Sequence, residues 1–260
     1  MAEFTTAQLF SLVSAFFWPL VRVLGLFSSG PFFSHRSIPI RIRVGLGVAI
    51  TLLIAPTLAP FPITDPISWM GLLVLTQQFL IGIAIGFIMR LIFSGVELSG
   101  ELIGMTMGFG FASFFNPQSG GQSSAINQLL SLLTMLIFIA TDLHLQLLES
   151  LVESFNSLPI GMNTLGKNSF QQLAFLGKNI FSISIQLSLP IIAALLMTNM
   201  ALGVLTKAAP QLNLFGIGFP ITMLVGFLMI DLLLPYWSMP LYQNLQQGIN
   251  MIRTLLQATI

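Results

Sequence analysis

Six stretches of this chain are apolar, free of charged side chains and about as long as a bilayer is thick: Phe4–Val21, Val44–Thr64, Pro66–Met89, Ala125–Thr141, Asn179–Thr206 and Ala208–Ile230. A hydrocarbon core of about 30 Å takes roughly 20 residues of helix. A seventh stretch, Leu232–Ile252, is less apolar. Helix is a backbone conformation that satisfies its own hydrogen bonds in lipid. The expected fold class is therefore an all-α membrane protein with about six long apolar helices. Composition agrees. The 260 residues are 55% hydrophobic and 7% charged, against about 25% charged in soluble domains. That leaves too little polar surface to cover a water-soluble globule.

The same numbers narrow the function. A net charge of +1 makes no case for nucleic acid, and the absence of Cys removes disulfides and thiolate metal sites. His35 and His144 have no ligand-like neighbours in sequence. There is no nucleophile elbow, P-loop, dinucleotide fingerprint or zinc signature. GFGFAS contains GxG but lacks the strand–turn–helix setting that phosphate binding needs. The reading is non-enzymatic, with no cofactor and no metal. The sole early charge is Glu3, so Phe4–Val21 is read as an uncleaved first helix rather than a signal peptide.

Orientation comes from the basic residues Arg22, Arg36, Arg41 and Arg43, which are read as one loop between the first two helices. The positive-inside rule puts that loop in the cytoplasm. Arg90 and Lys207 return to the same side. Prolines punctuate the later helices: Pro190 and Pro220 fall inside apolar stretches, and each is expected to kink its helix.

Two segments are amphipathic. In QLLESLVESFNSL, Leu147, Leu148, Leu151, Val152 and Phe155 share a face opposite Glu149 and Glu153. Toward the C-terminus, at about 239–258, Leu241, Leu245, Ile249, Ile252 and Leu256 form a stripe backed by Gln243, Asn244, Gln246, Gln247 and Asn250. That uncharged polar face fits a protein partner or a wet cavity, and equally a helix lying at the membrane interface.

Gly100, Gly104 and Gly108 repeat every turn on one face, and Gly82 and Gly86 form a shorter pair. Such stripes let helices approach closely, either within the chain or against a neighbouring subunit. Arg90, Glu97 and Glu101 share a helix face. They fit a polar lining or subunit contacts, or a helix that simply extends into the cytoplasm. Asp231, between Ile230 and Leu232, is read either as a proton site or as an acid meeting water or a basic neighbour.

The stripe leads into MGFGFASFFNPQSGG, residues 107–121. Its glycines free the backbone and Asn116–Pro117 favours a turn. Irregular backbone at membrane depth survives only when sheltered by protein or facing a cavity. A re-entrant loop, an extramembrane loop and a pore plug all satisfy that condition.

Four stretches, HRSIPIRIRVGLG, GELIGMTMGFGFASFFNP, LLESLVESFNSLPIG and LPIIAALLMTNMALGVLTKAAPQLNLFGIGFPITMLVG, resemble the FliR family of flagellar export-apparatus proteins and its virulence-secretion counterparts (FliR/MopE/SpaR). The resemblance covers nearly the whole chain. It implies a single membrane-embedded export-gate domain over 1–260, built from tilted helical hairpins. It implies assembly with FliP and FliQ into a helical gate, association with FlhB, and indirect work with FlhA and the export ATPase complex. The passengers would be unfolded flagellar subunits, and the setting the bacterial inner membrane within the flagellar basal body. It also implies that the loop at about 107–121 plugs the pore, with Met105, Met107, Gly108, Phe109, Gly110, Phe111, Phe114, Phe115, Asn116 and Pro117 as gate residues. GELIGMTMGFGFASFFNP and the APQLN stretch lean toward a flagellar rather than an injectisome member. The rival from another class is a proton-coupled secondary transporter with interrupted helices at Pro190 and Pro220. A purely structural scaffold is a third reading.

Overall fold

The computed structural model describes residues 6–34, 37–58, 68–109, 124–161, 167–209 and 218–257. Eight helices carry these residues: α1 Thr6–Ser29, α2 Ile40–Ile54, α3 Trp69–Met107, α4 Ala125–Ala140, α5 Leu143–Ser157, α6 Lys167–Leu176, α7 Lys178–Ala208 and α8 Phe219–Gln257, with a single 3-10 turn at Ala55–Thr57. Among the described residues the fold is all-α, as expected. Four helices, or up to five if α4 and α5 count as one broken span, are long and apolar enough to cross a membrane. Among the described residues, the count of about six is not confirmed.

The differences have local causes. The apolar stretch ending at Met89 stops at a charge, but helical hydrogen bonding does not. Arg90, Glu97 and Glu101 are sound helix formers, so α3 runs on to Met107. The sixth and seventh stretches join into one 39-residue helix, α8. Pro220 does not kink it. It sits in the first turn, where its missing N–H has no intrahelical partner to lose. Pro235 and Pro240 lie inside α8, Pro190 inside α7 and Pro19 inside α1. Arg22 is not in a loop; it lies within α1 and is fully buried. Arg41 and Arg43 open α2, so the cytoplasmic assignment rests on them, and His35 and Arg36 lie outside the described residues.

The chain divides into two compact units. Residues 1–91, 142–176 and 246–260 form the first. There α1 crosses α3 through facing glycines. A side chain on Gly25 would stand 2.6 Å from the Phe79 carbonyl oxygen, and one on Gly82 would run into the carbonyl of Arg22. The Arg22 side chain closes this unit. Its Nε donates to Gln78 Oε1 at 2.8 Å, one terminal nitrogen donates to the Ser154 carbonyl and hydroxyl at 2.8 and 2.9 Å, and the other reaches Gln78 Oε1 and the Leu158 carbonyl. Ser154 and Leu158 belong to the last turn and C-cap of α5, whose carbonyls lack helical partners. The Phe155 ring covers the guanidinium at 4.0 Å.

The end of α8 packs in the same unit. Gln246 Nε2 donates to Gln146 Oε1 at 3.4 Å, and Arg253 pairs with Glu149 at 3.3 Å. Ile249, Ile252 and Leu256 are buried here by the chain itself, and Leu241 and Leu245 are buried in the second unit. The apolar stripe is covered from within, while Gln243, Gln247 and Asn250 on the polar face stay exposed and Asn244 is buried.

Residues 92–141 and 177–245 form the second unit. Phe93 of α3 meets Phe138 of α4 edge to face at 5.8 Å. A side chain on Gly95 would stand 2.9 Å from Ile183 of α7. Along α7, Ile183, Leu187, Ile191 and Leu195 are buried while Phe181, Ile185, Leu189, Met197, Met200 and Val204 are exposed. The chain covers 67% of the apolar window of α3 but only 11% of that of α2 and 17% of that of α8. Such uncovered apolar area is incompatible with water and marks a multi-pass membrane protein.

Candidate functional site at the end of the third helix

The face of α3 that carries Gly100 and Gly104 looks onto the start of α4. A side chain on Gly100 would stand 2.5 Å from the Cα of Asn127, and one on Gly104 would strike the Ser124 hydroxyl. Ser124 is the N-cap of α4, and its Oγ accepts from the Ile126 N–H at 3.2 Å. Glu101 Oε2 accepts from the Ser124 N–H at 3.3 Å. A carboxylate at a helix N-terminus meets unpaired N–H groups and the positive end of the helix dipole. Glu101 thus helps hold the two helix ends on either side of residues 110–123, which lie outside the described residues.

Gly108 leaves the stripe. It ends α3 with φ 97°, a left-handed value that favours glycine. Its N–H donates to the Met105 carbonyl at 3.1 Å and the Phe109 N–H donates to the Gly104 carbonyl at 3.0 Å. This is the Schellman pattern, and it fixes where the helix stops.

The chain then seats on the first turns of α8. Thr222 Oγ1 lies 3.2 Å from the Met107 carbonyl and 3.0 Å from that of Phe219. Met107 is fully buried, and its Cγ, Sδ and Cε fill the space where a Gly226 side chain would be. The Phe219 ring lies against Gly108. Phe109 meets Phe227 edge to face at 6.2 Å. These contacts are uncharged throughout.

Met107, Gly108 and Phe109 are therefore together at one seat, while Met105, one turn back, is exposed. Gly110, Phe111, Phe114, Phe115, Asn116 and Pro117 lie outside the described residues. Arg90 is exposed and Glu97 half-buried on α3, and Asp231 is exposed on α8 between two apolar neighbours; none of the three belongs to the seat. Phe219, Thr222, Gly226 and Phe227 were not singled out from sequence. Their signal was the spacing i, i+3, i+7, i+8 in FPITMLVGF, which places an aromatic, a hydroxyl and a glycine on one helix face. Pro220 drew attention to a kink instead.

Comparison with known proteins is consistent along the chain. "Flagellar biosynthetic protein FliR" of Pectobacterium carotovorum subsp. carotovorum is 44% identical over 235 residues, 90% of each chain. The protein of that name in Escherichia coli K12 is 42% identical over the same share of both chains. Its namesake in Bacillus subtilis is 28% identical, covering 86% of this chain and 87% of its own. A family model described as "Bacterial export proteins, family 1" matches residues 13–248, which include α3, the seat and the first turns of α8. With a match of that extent, the chain belongs to the bacterial export proteins, family 1.

Proposed function

We propose that this protein is a subunit of the flagellar export apparatus and that the segment following α3 closes the pore through which unfolded flagellar subunits leave the cytoplasm. The observation that carries the role is the alignment over nine-tenths of both chains with relatives named for flagellar biosynthesis. The uncharged seat at Met107–Phe109 supports the gate reading. A closed gate must stop ions while an ion gradient is maintained, and hydrophobic constrictions close by excluding water. Met and Phe side chains also adapt to passengers of varied sequence.

In this reading the chain sits in the bacterial inner membrane, within a heteromeric assembly with FliP and FliQ and in association with FlhB. The large uncovered apolar faces of α2 and α7 suit tilted hairpins packed against sister subunits. Arg90, Glu97 and Asp231 are assigned to polar subunit contacts or to the lining of the path.

The test is capture of a passenger. An export substrate fused to a domain that cannot unfold is arrested in transit, with a photocrosslinker placed at Phe111, at Phe114 or, for comparison, at Leu132. Crosslinks to the substrate from the first two positions and not from the third are expected. Absence of crosslinks at Phe111 and Phe114, in a complex that holds the arrested substrate, would remove the gate reading.

A further inference from the structure

We infer that the first turns of α8 are a latch for the gate, and that Thr222 and Gly226 are the positioning residues that hold the end of α3 in its closed seat. The inference rests on the gate reading above and adds to it the element that controls the gate.

Three consecutive residues leaving α3 are each met by a different residue of one α8 face. The Met107 carbonyl is one of the terminal acceptors for which α3 has no donor of its own. The Schellman bonds occupy the carbonyls of Gly104 and Met105, and Thr222 reaches that of Met107. The missing side chain of Gly226 is the socket for Met107: an added methyl would stand 2.6 Å from Met107 Cγ and Cε. Phe219 backs Gly108, which only a glycine suits at φ 97°. Phe227 then catches Phe109. The chain thus leaves α3 in one fixed direction.

The chemistry of the latch makes it reversible. Thr222 has one hydroxyl proton and two carbonyls within reach, Met107 at 3.2 Å and its own helix's Phe219 at 3.0 Å. Donated to Met107, the proton ties α3 to α8. Donated to Phe219, the hydroxyl stays satisfied, and opening loses only the single neutral hydrogen bond to the Met107 carbonyl. No ion pair is broken and no buried hydroxyl is orphaned, so release needs little more than withdrawal of Met107 from its socket. A passenger pushing on the seat meets a weak catch rather than a weld.

The test uses the whole export complex expressed in cells and purified into planar bilayers, reading ion conductance. Five variants are compared: Thr222→Val, which keeps shape and removes the proton; Gly226→Ala, which puts one methyl into the socket; Met107→Ala, alone and combined with Gly226→Ala; and deletion of Gly110–Phe114. Thr222→Val is expected to raise the open fraction by roughly fivefold, the size set by one neutral hydrogen bond, and Gly226→Ala by more. Shortening the intruded side chain, in Met107→Ala combined with Gly226→Ala, should close part of that leak, giving non-additive coupling between the two positions. Merely structural damage would lower complex yield and would not be rescued this way. If the deletion leaks while Thr222→Val and Gly226→Ala complexes of normal yield stay tight, the latch is wrong and the gate reading stands. If the deletion itself is tight, the gate reading fails first. Should Gly226→Ala fail to assemble, Thr222→Val alone decides.

Discussion

A guanidinium removed from water is costly unless each N–H finds an acceptor. Arg22 meets that condition without a carboxylate. Its partners are Gln78, the hydroxyl and carbonyl of Ser154 and the carbonyl of Leu158. The two carbonyls end α5, so the cation also sits at the negative end of a helix dipole, with an aromatic face over it. Replacing Arg22 by Ala leaves several buried acceptors unpaired and is expected to lower stability by about 3 kcal/mol or more, seen as a drop in thermal unfolding temperature of the detergent-purified complex. Lys has no planar fork and three donors in place of five, so Arg22→Lys should recover only part of the loss. A fully stable Arg22→Ala protein would show that the network is incidental. Sequence reasoning counted Arg22 as a loop cation because charge next to an apolar run ordinarily marks its end. The missed signal was spacing: Ser14, Trp18 and Arg22 recur every fourth residue on one side of α1, and all three are buried.

Among the elements, α3 shows which parts of a helix are written in its sequence. Its glycines were legible as a close-packing device, but not which helix each would face. Gly82 meets the backbone of α1 and Gly100 the backbone of α4. Backbone cannot move aside as a side chain can, so Gly82→Ala is expected to destabilise by about 2 kcal/mol or more through forced separation of α1 and α3. Gly45 on α2 has nothing within 4 Å of an added methyl. There Gly→Ala should be neutral or stabilise by roughly 0.5–1 kcal/mol through helix propensity. Parallel melting curves of the two variants check this, and equal effects would refute the packing account. The end of α3 was harder to read, because hydropathy falls at Arg90 while the backbone continues to Gly108. The stop is conformational, a positive φ and two capping bonds, and it carries no hydropathy signature.

For the whole molecule, class and family were legible and the count of spans was not. Long uncharged runs reveal that a segment avoids water, but not whether lipid, the same chain or a sister subunit covers it. The stripe ending in Leu256 shows the ambiguity: it falls largely in the less apolar seventh stretch, and the chain itself buries it. The seat of Met107 was half legible. Its own residues stand out as MGFGF, whereas Thr222 and Gly226 lie more than a hundred positions away and gain meaning only when α8 is brought alongside. The central claim, that the segment after α3 closes an export pore, is tested most directly by ion conductance of the purified heteromeric complex in a planar bilayer with and without Gly110–Phe114. The account predicts a tight wild-type complex and a steady ion current once those residues are gone. A deletion complex of normal composition that remains as tight as wild type would contradict it.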